Sequence, residues 1–228
     1  MPQVVNPIRF STLANGLIGH WPLDDANTNG TANDLSPESR DLTKINTPTS
    51  VTGPGGSLTE AREFIASSNE RFETAYANIS DVYDFRTADT FSFSMYAWFD
   101  VAANGDTLLS LYDSTSVRTW RVQRTIGEQI RMQGYTSDGS PSTLTSNDTI
   151  SIDTWHHIVI TWDAGSCGCI IDDGTPKVVG GKTIGASTGS PSFRVGYNNF
   201  DGRLCDVRIY DRVITASEIT ALYNLGIT

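Results

Sequence analysis

The side chains best suited to recognition in this chain are Tyr96, Trp98, Arg121, Gln123, Arg131, Gln133 and Tyr135. In extended backbone, successive side chains point to opposite faces. Val117–Arg124 therefore places Trp120 and Val122 together, and Ile130 and Met132 form the matching apolar pair in the next segment. If those four face the core, Arg121, Gln123, Arg131, Gln133 and Tyr135 project outward. Tyr96 and Trp98 likewise lie opposite Phe93, Met95 and Ala97. Aromatic rings stack on the apolar faces of sugars, while amides and guanidinia hydrogen-bond their hydroxyls. The cluster is a candidate carbohydrate surface; the competing reading is a solvated sheet face with Trp98 covered by a loop.

Catalytic chemistry finds fewer candidates. Glycosidic hydrolysis needs two carboxylates, about 5–5.5 Å apart for retention or about 6.5–9.5 Å for inversion. The only glutamates after Glu73 are Glu128 and Glu218, and Glu218 fits a helix-capping role. Asp81/Asp84 and Asp172/Asp173 fall at turn-like positions. No His-Glu-x-x-His pair occurs. His156 and His157 are adjacent on a strand, so they point apart and cannot share one metal; both read as structural. The expectation is a protein that is not an enzyme.

The chain has 228 residues and a net charge of −10, with 38% hydrophobic and 18% charged residues. That composition is too apolar for a disordered chain and long enough to bury a large core. An acidic balance argues against nucleic acid and anionic membranes as partners. No apolar run approaches the roughly 20 residues that span a bilayer, and the first residues lack the pattern of a secretory leader. The three cysteines, Cys167, Cys169 and Cys205, are too few for a structural zinc site. They read as small buried hydrophobes, or as one bridge in an oxidising compartment.

Those side chains must be positioned by strands. Phe91–Phe99 alternates over nine residues, and Trp155–Asp163 is β-branched and aromatic on both faces, as in a central strand. Cys169–Asp172, Phe193–Tyr197 and Arg203–Tyr210 continue the series, with Asn104-Gly105, Asp138-Gly139, Asp173-Gly174 and Asp201-Gly202 as turns. Residues 24–60 read as loop-rich with a few edge strands. One helix is expected at the C-terminus: Thr215 and Glu218 fit a capping box, and Ile219, Leu222 and Tyr223 share a face. The expected fold is all-β, a two-sheet antiparallel sandwich with a short C-terminal helix, in a single domain over residues 1–228.

The ordered motifs resemble the laminin-G-like branch of the concanavalin A-like lectin/glucanase superfamily. They are Gly16–Asp25 (GLIGHWPLDD), Asp34–Asp41, Ser94–Phe99, Trp155–Asp163 (WHHIVITWD), Ile170–Gly174, and Phe200–Arg212 followed by Ala216–Tyr223. Together they span about residues 16–224. The resemblance implies a jelly roll with one concave and one convex sheet, and chain ends that meet. Laminarinase-type members carry their acids as E-x-D-x-x-E, which is missing here. Related folds hold a structural calcium ion; Asp25 and Asp206 match the positions involved, and Asp34 could add an oxygen. Cys205 replaces an aspartate of the family pattern and Asp25 a glutamate, and the alternative is that these are solvated turn carboxylates. The resulting expectation is a lectin-like adhesion module for glycans or a protein surface, extracellular or on a particle. The alternative is a structural or decoration subunit of a larger assembly such as a virion or surface appendage.

Overall fold

A computed structural model describes residues 12–24, 30–79, 85, 90–102, 105–112, 118–135, 140–185 and 191–226. Asp81, Asp84 and the expected turns at Asn104-Gly105 and Asp138-Gly139 fall wholly or partly outside the described residues. The chain runs through β1 (Leu17–Trp21), β2 (Thr31–Ala32), β3 (Leu42–Ile45), β4 (Thr49–Gly55), β5 (Leu58–Phe64) and β6 (Arg71–Thr74) to the long strand β7 (Thr90–Phe99). It continues through β8 (Thr107–Tyr112), β9 (Arg118–Arg124), β10 (Gln129–Tyr135), β11 (Pro141–Thr149) and β12 (Trp155–Asp163). Then β13 (Ser166–Ile171), β14 (Lys177–Val179), β15 (Ser192–Tyr197) and β16 (Gly202–Tyr210) lead into helix α1 (Ala216–Tyr223).

These strands pair into two antiparallel sheets stacked as a jelly-roll sandwich. The first has the order β14-β13-β12-β7-β16-β5-β4, and the second β11-β10-β9-β8-β15-β6-β3-β2. Strand β16 is shared along one edge, pairing with β5 through Gly202–Leu204 and with β1 through Val207–Tyr210. The segment expected to be loop-rich supplies β2 and β4 as sheet edges, and also β3 and β5 one position inside.

Period-2 alternation decides what lies between the sheets. Phe91, Phe93, Met95, Ala97 and Phe99 of β7 are buried there with Ile158, Ile160 and Trp162 of β12. The second sheet answers with Trp120, Val122, Ile130, Met132 and Phe193. Rings bridge the layers: Phe93 and Trp120 have centroids 4.8 Å apart, and Trp21 and Phe193 5.3 Å. Such pairs add roughly 0.5–1.5 kcal/mol beyond their buried area. Cys167 and Cys169 belong to this inner layer, whereas Cys205 packs on the other face of the first sheet with Ala61 and Tyr96. All three thiols are free and buried, which pushes Cys167 up to about 12.

The outer face of the first sheet is apolar and is covered. Val159, Ile170 and Tyr210 pack against Leu13, Leu17, Ile214, Ile219 and Leu222. Helix α1 starts where expected: Thr215 Oγ1 accepts the Glu218 N–H at 3.3 Å, and the Glu218 carboxylate accepts the Thr215 N–H at 2.8 Å. Arg212 donates to both Glu218 oxygens, at 2.7 and 2.9 Å, and its Nε donates to the Asn15 carbonyl at 2.8 Å. One guanidinium thus ties the helix start to the N-terminal segment.

The Arg212 hydrogen bonds hold the Glu218 carboxyl down at about 2, against an ordinary 4.5. A depressed carboxylate contributes stability that is present above 4.5 and is lost as pH falls toward 2. Glu218→Gln is therefore expected to cost about 1–2 kcal/mol at pH 7. It should also flatten the loss of stability between pH 4.5 and 2. Urea unfolding at several pH values checks both outcomes.

Candidate functional site

The outer face of the second sheet is built differently. Across one rung, register pairs Thr143 with Gln133, Gln133 with Arg121, Arg121 with Ser110, Ser110 with Arg194 and Arg194 with Glu73. Five strand pairings thus line up polar side chains from β11 to β6. The next rung sets Thr145 beside Arg131 and Arg131 beside Gln123. Among the described residues no α-helix lies on this face; α1 packs on the other sheet.

Part of the face is locked in place. Gln133 Oε1 accepts from Arg121 Nε at 2.7 Å and from the Tyr135 hydroxyl at 2.6 Å. Glu73 Oε2 accepts from Arg71 Nε at 2.8 Å and Arg194 Nε at 3.2 Å. The Arg194 guanidinium sits 4.5 Å over the Tyr197 ring. Alternation alone would turn Tyr197 inward with Phe193 and Val195. Gly196, at φ +67°, breaks the alternation and brings Tyr197 to the Arg194 side; a Cβ there would lie 2.5 Å from the Phe64 ring.

The rest of the face is unspent. Gln123 Oε1, Ser110 Oγ and Thr119 Oγ1 are buried with no hydrogen-bond partner among the described residues, and so is Arg131 Nε. Gln123, Ser110 and Thr119 are each no more than 2% exposed. A buried polar group left unpaired costs about 1–3 kcal/mol, so these four atoms leave hydrogen-bonding capacity on this face that water or a ligand can meet. One carbonyl acceptor, one guanidinium donor and two hydroxyls that serve either way match the donors and acceptors of a polyol.

The structure gathers only part of the expected cluster. Arg121, Gln123, Arg131, Gln133 and Tyr135 share this face, on β9 and β10. Tyr96 and Trp98 belong to β7, in the other sheet, and point away on the opposite side of the sandwich. Tyr96 is not a surface residue: it lies under the C-terminal segment, where its hydroxyl donates to the Leu222 and Tyr223 carbonyls and accepts from the Gly226 N–H. Trp98 is half-buried, with Nε1 donating to Asp100 at 2.8 Å and Arg203 lying 4.9 Å over its ring. Alternation reports the face of a strand but not the sheet it joins. Ser110, Thr119, Arg194 and Tyr197 went unnoticed, although Phe193 and Val195 marked Arg194 as outward.

The expected calcium carboxylates are engaged elsewhere. Asp25 lies outside the described residues. Asp34 Oδ1 accepts the N–H groups of His20 and Ser36, and Oδ2 accepts from the Arg40 N–H and the Ser36 hydroxyl, at 2.8–3.0 Å. Asp206, in a bulge at φ +50°, is held by Arg208 Nε and Nη2 and by His20 Nε2. Burial works to raise its pKa, but Arg208 and His20 outweigh it and hold the carboxyl well below the usual range. A guanidinium and an imidazole occupy the cation's role, so these two carboxylates do not fit a calcium ion. Among the described residues no three His, Cys, Asp or Glu side chains cluster to hold a metal.

The two histidines point apart, as expected from adjacent strand positions. His156 Nδ1 lies 2.6 Å from Asp172 Oδ2 and its Nε2 3.0 Å from Ser151 Oγ. Asp172 Oδ1 accepts the His157 N–H at 2.8 Å. This serine–histidine–aspartate chain ties the start of β12 to the turn after β13. His157 lies beneath the C-terminal segment, 2.9 Å from Ser94 Oγ, and burial lowers it to about 4.

The protein is thus a sandwich of two stacked antiparallel sheets, with one outer face sealed by a helix and the other polar. Residues 71–220 match the model of a family described as the concanavalin A-like lectin/glucanases superfamily, and the chain belongs to that family. A search of the curated proteins finds no match. Among solved structures, the chain is similar to the binding domain of Paraclostridial Mosquitocidal Protein 1, at 16% identity and a TM-score of 0.66, covering 93% of this chain and 52% of that one. The chain thus spans about half the length of that structure. It is similar to domain 4 of AbnA, a GH43 extracellular arabinanase from Geobacillus stearothermophilus in complex with arabinotriose, at 14% identity and a TM-score of 0.68, covering 91% and 98%. It is also similar to part of Trypanosoma rangeli sialidase, at 17% identity and a TM-score of 0.62, covering 91% of this chain and 32% of that one.

The lock at Asp206 generates a test. Asparagine tolerates the left-handed backbone of this position, so Asp206→Asn removes charge while sparing φ. Leaving Arg208 buried without its partner should cost about 3–5 kcal/mol in urea unfolding. Because both carboxylates are saturated by protein donors, calcium and chelator should give superimposable melting curves for the unaltered protein.

Proposed function

We propose that the protein is a non-catalytic, lectin-like module that binds carbohydrate on the outer face of its second sheet. The observation carrying this reading is the set of buried polar atoms of Gln123, Ser110, Thr119 and Arg131, unpartnered among the described residues and gathered on one face. Sugars supply many hydroxyls at close spacing, each able to donate and accept, and would satisfy these groups together. The neighbours lend support of the same kind: one binds arabinotriose, and a further similar structure concerns botulinum neurotoxin type C, whose cell entry depends on ganglioside.

A recess of about 680 Å³ beside α1, lined by Thr12, Asn15, Arg212, Glu218 and Asn224, is a weaker alternative. Its principal charged groups, Arg212 and Glu218, already neutralise each other. An extracellular or surface location goes with the lectin reading, and no described helix is long and apolar enough to cross a membrane.

A glycan array followed by calorimetry on the best ligands tests the proposal. Gln123→Ala and Arg121→Ala should each weaken binding about tenfold, the cost of losing one or two hydrogen bonds to a bound polar group. Trp98→Ala, on the opposite sheet, should bind as the unaltered protein does. A folded protein that recognises no glycan, or one whose binding follows Trp98 and ignores Gln123, refutes the assignment.

A further inference from the structure

The proposed carbohydrate face carries a charge pattern that narrows its ligand. Taking that face as the glycan site, we infer that the sugar is acidic, with a carboxylate seated on Arg131.

The outward positions of β6, β8, β9, β10 and β15 hold four arginines, Arg71, Arg121, Arg131 and Arg194, and one carboxylate, Glu73. The whole chain has a net charge of −10, so this cationic strip runs against the general balance. Glu73 is shared between Arg71 and Arg194. Arg121 directs its Nε to the neutral amide of Gln133. The Arg131 Nε is buried with no acceptor among the described residues. It sits directly across from Gln123, whose Oε1 is in the same condition, and beside Thr145.

A half-buried guanidinium with an unmet N–H is costly, and a neutral hydroxyl offsets less of that cost than an anion does. A carboxylate matches the planar fork of arginine with two parallel hydrogen bonds, each roughly twice the strength of a neutral one. Gln123 Oε1 is an acceptor and repels carboxylate oxygens, so it requires a donor next to the acid. A sugar acid provides both, because hydroxyl-bearing carbons adjoin its carboxylate. Arg121 lies diagonally across the β9–β10 pair from Arg131, at roughly 7–8 Å between side-chain bases, close enough to reinforce the same charge.

Two sources share this chemistry, sialic acids and uronic acids, and matched probes separate them. Calorimetry would compare 3′-sialyllactose with lactose, and tri-galacturonate with its methyl ester. One acid of the two pairs should bind at least about tenfold tighter than its neutral counterpart, and the pair that shows the gap names the source. Raising salt from about 50 to 500 mM should weaken the acid alone. Arg131→Gln should bring the acid to the neutral level, and Arg131→Lys, which keeps charge but loses the fork, should keep only part of the preference. Circular dichroism and thermal melting confirm that each variant is folded, and the lysine variant carries the test if glutamine unfolds the sheet. Equal affinity for acid and neutral sugar, or a preference that survives Arg131→Gln, overturns the acidic ligand and leaves the glycan face standing. Binding to no sugar at all takes both down.

Discussion

A sandwich of two sheets has four faces, and this chain has large apolar side chains for three of them. Two meet in the middle, where Phe93, Trp120, Trp21 and Phe193 interlock. The third, outside β7, β12 and β16, is closed by Ile214, Ile219 and Leu222 after the last strand. Among the described residues, the fourth carries mainly arginines, amides and hydroxyls instead. That allocation dictates the direction in which the molecule faces its surroundings. A helix long enough to cover one sheet leaves the other to interact with solvent or ligand, and the burial of Tyr96 beneath the tail comes from the same choice.

Closing the third face requires the two ends of the chain to meet, and polar contacts control how they do so. β1 pairs with the second half of β16, and Arg212 reaches from the end of β16 to Thr12 and Asn15 as well as to Glu218. Asp206 binds His20 on β1 and Arg208 on its own strand, within the bulge that shifts the β16 register between Cys205 and Arg208. A buried ion pair gives little net stability against a well-packed apolar substitute. Its value here is positional: only one register of β1 on β16 brings the imidazole to the carboxylate. Asp206, which the family resemblance associated with a metal, and Asp34, a candidate extra oxygen, serve the fold through protein donors instead.

Most of the fold was legible because two periodicities are hard to disguise. Alternation in Phe91–Phe99, in Trp120/Val122 and in Ile130/Met132 identified inward faces that the sandwich indeed buries. The capping box at Thr215 and Glu218 marked the helix start to the residue. The site was legible only by halves. Strand phase placed Arg121, Gln123, Arg131, Gln133 and Tyr135 together because their strands are hairpin neighbours. It wrongly added Tyr96 and Trp98, since the sheet a strand joins depends on long-range pairing that local pattern does not encode. β15 reaches β8 across a long stretch of intervening sequence, so Phe193 and Val195 signalled that Arg194 faces outward but not that it joins this site. Tyr197 was hidden by a single glycine conformation, which no count of apolar spacing registers.

The contrast between Trp98 and Gln123 separates a residue that is ligand-like by type from one that is ready for a ligand. On the first sheet, the Trp98 indole N–H is satisfied by Asp100 and its ring is covered by Arg203. Its one polar atom is already met. On the second sheet, Gln133 Oε1 accepts from two donors while Gln123 Oε1, one strand away, has no partner among the described residues. Packing alone would favour replacing Gln123, Ser110 and Thr119 by apolar groups of similar shape, which removes the desolvation cost at little expense to the fold. Keeping these groups polar, with Gln123 directly across from Arg131, makes sense where something outside the chain completes their hydrogen bonds. Under the proposed sugar reading, the stability given up in the free protein would be recovered on binding to a face whose side chains are already ordered.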